Sequence, residues 1–111
     1  MCRALKVLCA AADRDRLAEL KRSSVSTHWE LVGGATSVHD LERQLAEFGP
    51  DVVVVDAALG GQALECVRAS RPTARLVAVG PLAGADAGAS ADGEIRAAIL
   101  GLPRPGGPVR S

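Results

Sequence analysis

Runs of consecutive apolar residues alternate along this chain with segments in which apolar residues recur every three or four positions. Such runs are typical of buried strands, and the three-to-four spacing is typical of helices with one apolar face. The runs predict strands over residues 5–10, 28–32, 52–55 and 76–79. The spaced segments predict helices over residues 13–22, 38–48 and 62–70, and a last helix that Asp92 caps and Gly101 ends.

Glycine and proline mark several of the predicted boundaries. Gly33 and Gly34 are expected to end the second strand. Ser37 is expected to cap the second helix, and Gly49 followed by Pro50 is expected to end it. Each of these residue types acts through its own backbone or side chain, so the boundaries are predicted locally.

The third strand consists of four consecutive valines, residues 52–55, with no polar residue between them. A strand without alternation is buried on both faces and belongs in the middle of a parallel sheet. Strands that alternate with helices are joined by right-handed crossovers, with helices on both sides of the sheet. We therefore predict an α/β fold with a doubly wound parallel sheet.

Composition excludes several classes of protein. The 111 residues are 48% hydrophobic and 23% charged, with 13 basic and 13 acidic side chains. This even balance gives no electrostatic reason to expect nucleic-acid binding, and no apolar run is long enough for a membrane span. The three cysteines have no C-x-x-C spacing, which favours reduced thiols. We expect a cytoplasmic protein that binds neither nucleic acid nor membrane.

The last ten residues differ in composition from the rest of the chain. Residues 102–111 contain three prolines and two glycines, a composition that does not support a packed core. We predict one domain over residues 1–101 and a disordered tail over residues 102–111.

Asp56 is the main candidate for chemistry. Functional groups of an open parallel sheet gather beyond the carboxyl ends of its strands, and Asp56 directly follows the four valines. A carboxylate there is suited to act as a nucleophile or metal ligand. A turn or capping role is the alternative, because aspartate is common at strand ends. Asp13 and Gly80 follow the first and fourth strands at the same edge.

Two segments resemble the receiver domain of response regulators, and the resemblance implies a flavodoxin- or CheY-like sheet with strand order 2-1-3-4-5. They are WELVGGA at residues 29–35 and GPDVVVVDAALGG at residues 49–61. The resemblance implies that Asp56 occupies the phosphoacceptor position, with Leu59 and Gly60 where the family usually has Met and Pro. Gly84-Ala85-Asp86 also resembles the segment before the family's fifth strand.

Three groups that support phosphorylation in receivers are missing at the matching positions. Ala11 and Ala12 stand where the resemblance implies two acidic Mg²⁺ ligands, which leaves Asp13 as a weak metal candidate. Gly80 replaces the switch hydroxyl, and Ala91 is nearest to the position of the conserved lysine. Losing one such stabilising group typically costs about 3 kcal/mol of transition-state stabilisation. We therefore expect no cofactor, and Mg²⁺ only if Asp56 is phosphorylated after all.

The segment after the fourth strand is too short for the family's fourth helix. Only four residues separate Val79 from Gly84, and the fifth strand is reduced to a stub within residues 87–90. An edge uncovered in this way tends to be paired or hidden. We expect a protein partner, most simply a second copy in a homodimer, at an interaction surface formed by Leu76, Val79, Leu82, Ile95 and Ile99.

Other polar groups have simpler explanations. Arg14, Arg16 and Arg22 are interleaved with acidic residues, which is typical of a solvated helix face. The two histidines have no metal-ligand spacing, and no catalytic triad or paired-glutamate arrangement is evident. We expect no enzymatic activity.

These observations favour one function and leave two alternatives open. The leading hypothesis is a stand-alone, degenerate receiver in bacterial signalling that acts through protein–protein interaction without phosphorylation. The first alternative is a conventional receiver phosphorylated on Asp56. The second is a small flavodoxin-like ligand binder with a cleft above Asp13, Gly33 and Gly80.

Overall fold

A computed structural model describes residues 5–102, which form one five-stranded parallel sheet flanked by helices. The strands are β1 (Leu5–Ala10), β2 (Trp29–Ala35), β3 (Val52–Asp56), β4 (Arg75–Val79) and β5 (Ala87–Ala89). The helices are α1 (Arg14–Ser24), α2 (Val38–Phe48), α3 (Gly61–Ser70) and α4 (Ile95–Leu100). Single 3₁₀ turns cover Ala57–Leu59 and Asp92–Glu94. The order β2-β1-β3-β4-β5 confirms the predicted fold class.

The four valines of β3 are buried on both faces of the sheet, as predicted for a central strand. Val52 and Val54 pack with Trp29 and Ile95 in the core on the α1 and α4 side. Val53 and Val55 pack in the second core, beneath α2 and α3. Since β3 lies between β1 and β4, its carboxyl end is at the centre of the sheet edge. This location places Asp56 among the loops that follow β1 and β4.

The start of α1 and the end of α2 follow local signals. Asp13 caps α1, its Oδ1 accepting a hydrogen bond from the backbone N–H of Arg16 at 2.8 Å. Ser37 caps α2 in the same way, accepting from the N–H of Asp40. Gly49 ends α2 with a left-handed backbone, φ 57°. The predicted boundaries of α2 are therefore confirmed.

Strand β2 is longer than predicted, because Gly33 and Gly34 lie inside it. The two glycines pair with Leu8 and Cys9 of β1, after a register shift. A Cβ atom on Gly33 would lie 2.5 Å from Oε1 of Gln44, and one on Gly34 would lie 3.0 Å from Leu17. The prediction that these glycines end the strand is wrong, since they allow α1 and α2 to pack closely on it.

The segment between β4 and β5 contains no helix, and β5 has three residues, as predicted. Arg68 of α3 holds this segment in place, its Nη2 donating to the carbonyl of Gly84 at 2.9 Å. Asp86 Oδ2 accepts from the same Nη2 at 3.2 Å and from the backbone N–H of Leu76 at 2.8 Å. These bonds tie the connection to α3 and β4 in the absence of a covering helix.

Four of the five residues predicted for the interaction surface are in the protein's own core. Leu76, Val79, Ile95 and Ile99 are each less than 5% exposed, and Leu82 is half-buried. Since α4 lies over the sheet, its apolar face is already covered. The surface prediction is therefore wrong for those four residues.

Two further predictions concern the end of the chain and membrane spans. The predicted tail, residues 102–111, lies outside the described residues except for Leu102. Within residues 5–102, no helix is both long enough and apolar enough to cross a membrane.

Candidate functional site

Asp56 lies at the carboxyl edge of the sheet, as the last residue of β3. It pairs in register with Val79 of β4, and the preceding Val55 pairs with Ala10 of β1. The side chain of Asp56 is 14% exposed. The carboxylate is therefore partly withdrawn from water and requires a compensating partner.

That partner is Arg16, in the first turn of α1. Its Nε donates to Oδ2 of Asp56 at 3.3 Å. The Arg16 side chain is 27% exposed, which does not match the fully solvated helix face predicted for it. Arg16 lies in the first turn after the loop that follows β1. Because β1 is adjacent to β3 in the sheet, this turn places the guanidinium at the end of β3.

Arg16 also holds Asp92, at the start of the turn that precedes α4. Nη1 and Nη2 of Arg16 each lie 2.8 Å from one carboxylate oxygen of Asp92. Two parallel charge-assisted bonds of this kind are among the strongest polar contacts in proteins. The predicted role of Asp92 as a helix cap is wrong, since its side chain pairs with Arg16 and makes no cap hydrogen bond.

A third carboxylate completes the group, because Glu19 Oε1 lies 3.0 Å from Nη1 of Arg16. Hydrogen bonds to Asp92 are the largest cause raising the pKa of Arg16 above its ordinary value, with Glu19 and the charge of Asp56 adding to the effect. These contacts therefore favour the charged form of a guanidinium that is already protonated in proteins. We call Arg16, Glu19, Asp56 and Asp92 the Arg16 cluster.

The remaining residues at this edge do not fit Mg²⁺, the ion implied by the resemblance to receivers. Ala11 is fully buried, and neither it nor Ala12 carries an oxygen ligand on its side chain. Asp13, the weak metal candidate, is exposed and caps α1. Mg²⁺ requires oxygen ligands in near-octahedral geometry. Among residues 5–102, no group of three or more His, Cys, Asp and Glu side chains is arranged to hold a metal ion.

The switch and lysine positions are also without their functional groups. Gly80 has φ 99°, and a Cβ atom there would lie 3.1 Å from the Cβ of Ala57. A side chain carrying a hydroxyl would therefore be strained at this position. The chain has two lysines, and both lie on other parts of the fold: Lys6 is the second residue of β1 and Lys21 is in the last turn of α1.

The small residues at this edge do not open a ligand cleft. Gln44, Leu8 and Phe48 surround the Cβ position of Gly33, and Leu17 surrounds that of Gly34. The groove beside Asp13 is polar, lined by charged side chains of α1 and the loop before it: Asp13, Arg14, Asp15, Arg16 and Glu19. Of the three residues predicted to line a ligand cleft, Gly33 is therefore covered by α2, Gly80 lies beside Ala57, and Asp13 lies in the polar groove.

Sequence reasoning brought Asp56 to this edge but missed its partner Arg16, and it also missed Glu19 and Asp92 as further partners of Arg16. Glu19 was within reach of sequence analysis, because residues three apart on a helix are neighbours. Asp92 was not, since it is 76 residues away from Arg16. Only the sheet topology brings the two together.

The fold of the chain is similar to that of several solved structures. The chain is similar to the response regulator domain of Thermotoga maritima CheB, with 21% identity, TM-score 0.63, and coverage of 78% of this chain and 77% of that one. A LuxR-family two-component response regulator from Aurantimonas sp. SI85-9A1 aligns with 20% identity and TM-score 0.71, over 88% of this chain and 84% of its own. A LuxR-family DNA-binding response regulator from Staphylococcus aureus aligns with 18% identity and TM-score 0.66, over 86% and 97%.

No family model matches the chain, and no curated protein matches it. The likeness to solved structures, together with the strand order, shows that the chain has the CheY-like fold of response-regulator receiver domains. Within that fold, the sheet edge that carries Asp56 is occupied by the Arg16 cluster.

Proposed function

We propose that this chain is a receiver-like signalling module that acts through protein–protein interaction, without phosphorylation of Asp56 and without enzymatic activity. The ion pair between Asp56 and Arg16 is the observation that carries the proposal. A receiver carboxylate attacks a phosphoryl group whose charge is neutralised by a metal and a cation. Here the carboxylate contacts an arginine of the same chain, and that arginine is also held by Asp92.

The energetic argument follows from the missing groups. Phosphoryl transfer depends on positioning and charge neutralisation, and each lost donor typically costs about 3 kcal/mol of transition-state stabilisation. The residues at the metal and lysine positions, Ala11, Ala12 and Ala91, supply neither ligand nor charge. Arg16 supplies one positive charge, but three carboxylates already share it.

The test is to incubate the full chain with acetyl phosphate and Mg²⁺, and separately with beryllofluoride and Mg²⁺. We expect no phosphoryl addition by intact-mass spectrometry and no shift of the amide resonances around Asp56. Asp56→Asn is the matched control, since it removes the only acceptor at issue. Phosphoryl addition to the natural chain that is absent from D56N would contradict the proposal.

The second candidate function is a conventional receiver, and Asp56 itself favours it. The carboxylate keeps its place at the end of the central strand, with part of its side chain open to solvent. The same experiment separates the two candidates, because only a conventional receiver takes up the phosphoryl group.

We further propose that the partner is a protein, most simply a second copy of this chain, in the cytoplasm of a bacterium. The CheY-like fold supports an interaction role, and the side chains that fill the space beside Gly33 leave no room for a ligand there. Light scattering across a range of concentrations tests the second-copy hypothesis. A dimer mass supports it, and a monomer mass at high concentration contradicts it.

A further inference from the structure

We propose that Arg16 is a resident cation that takes the place of a divalent metal at Asp56 and fixes α4 against α1. The inference deepens the proposed function, because it rests on the same site. It adds two roles for the Arg16 side chain. Arg16 keeps metal away from Asp56, and it attaches α4 to α1. Both can be measured without knowing the partner.

The first step of the argument is the position of the charge. The guanidinium contacts carboxylates from three segments: Asp56 at the end of β3, Glu19 on α1, and Asp92 before α4. A metal at this edge would also have to use the carboxylate of Asp56. Since that carboxylate already accepts from Nε of Arg16, metal binding would first have to displace the arginine.

The second step is what the carboxylates would do without Arg16. Like charges held close together in a partly buried site repel one another, and the repulsion is stronger than in bulk water. Asp56, Glu19 and Asp92 would then attract a free cation. In the natural chain, Arg16 supplies the positive charge that these carboxylates would otherwise draw from solution.

The third step concerns α4, which has only six residues. So short a helix depends on tertiary contacts for its stability. Besides the buried side chains of Ile95 and Ile99, two arginines supply polar contacts between α1 and the α4 region. Arg16 of α1 holds Asp92 in the turn before α4, and Arg96 of α4 donates to the carbonyls of Val25 at 2.5 Å and Arg22 at 3.1 Å. Loss of Arg16 would leave the start of α4 without its tie to α1.

The test compares the natural chain with Arg16→Met, which keeps an apolar stem and removes the charge. Arg14→Met is the matched control, because Arg14 is an exposed arginine on the same helix. Mn²⁺ is the probe, since it broadens the amide resonances of residues near its binding site, and Mg²⁺ serves as competitor. Amide hydrogen exchange of residues 95–100 reports on α4.

We expect no Mn²⁺ broadening around Asp56 in the natural chain and in R14M. In R16M we expect Mn²⁺ affinity at this edge to rise about tenfold or more, and α4 amides to exchange about tenfold faster, as loss of one strong charge contact implies. Broadening around Asp56 in the natural chain would overturn the inference. Unchanged Mn²⁺ affinity or unchanged α4 exchange in R16M would also overturn it.

Asp92→Asn gives a second route if R16M does not fold. It leaves the cation in place, so we expect faster exchange of α4 with no gain in Mn²⁺ affinity, and α4 exchange as slow as in the natural chain would overturn the inference. Failure of this inference is distinct from failure of the proposed function, which phosphoryl addition to Asp56 would show. A chain that binds Mn²⁺ at Asp56 yet takes up no phosphoryl group would overturn the inference alone.

Discussion

Arg16 and Asp92, 76 residues apart in sequence, form a two-pronged ion pair in which each Nη atom lies 2.8 Å from one carboxylate oxygen. The pair joins the first helix of the fold to the turn that begins the last one. Because Arg16 also contacts Asp56, the candidate site and the position of α4 depend on the same guanidinium.

The pair should contribute measurably to stability. We expect a double-mutant cycle of Arg16→Met and Asp92→Asn to give a coupling free energy of about 1 kcal/mol, above most exposed pairs because both side chains are partly buried. Urea unfolding of the natural chain and the three variants measures it. The control is the Arg43–Asp40 pair on α2, where Arg43 is 61% exposed. Equal coupling free energies in the two cycles would contradict the expectation that partial burial strengthens the Arg16–Asp92 pair.

Gly33 should not tolerate a side chain. A Cβ atom there would meet Gln44 at 2.5 Å, Leu8 at 3.0 Å and Phe48 at 3.2 Å. We expect Gly33→Ala to lower the free energy of unfolding by about 1–3 kcal/mol, the usual cost of overpacking. Gly61→Ala is the control, since Gly61 begins α3 in open space. It should raise stability by up to about 1 kcal/mol. Chemical denaturation of both variants measures the free energy of unfolding, which should fall in Gly33→Ala and rise in Gly61→Ala.

Asp86 should order the connection that replaces a helix. Its carboxylate accepts from the backbone N–H of Leu76 and from Arg68. We expect Asp86→Ala to cost about 1–3 kcal/mol, because it leaves a partly buried donor unpaired. Amide exchange of residues 80–89 should accelerate while that of β1 and β3 changes less. Uniform acceleration across the sheet would show that Asp86 has no local role.

Stability should fall in alkaline solution because of Cys9. Burial is the largest cause raising the pKa of its thiol, to about 11, although its hydrogen bond to Ser24 acts in the opposite direction. The unfolded thiol ionises near its ordinary value of 9.0. The folded state therefore retains the proton longer, and this contribution is complete below about pH 9 and lost as pH rises through about 11.

The measurement is the free energy of unfolding between pH 8 and 11 for the natural chain and Cys9→Ala. We expect a smaller decline with pH in C9A. Cys66→Ala is the control, because that thiol is only partly buried. Parallel curves for the natural chain and C9A would contradict the effect of burial on Cys9.

Local signals were enough to predict most elements of the fold. Four adjacent valines indicated a central strand, and Ser37 and Gly49 marked the ends of α2 through their own side chain and backbone. The short segment after β4 ruled out another helix there by its length. These features depend on residues close together in the chain, so the sequence alone determined the fold class and the position of Asp56 after the third strand. The strand order was predicted from the resemblance to receiver domains and not from these local features.

Tertiary structure decided what surrounds Asp56. The charge pattern of α1 is compatible with a solvated face, and only the approach of the turn before α4 gives Arg16 its second partner. Packing also placed Gly33 inside β2 and covered Ile95 and Ile99. Such contacts depend on distances through space between segments far apart in sequence, and no local spacing encodes them. A guanidinium pairs with whichever carboxylates the folded backbone brings within reach.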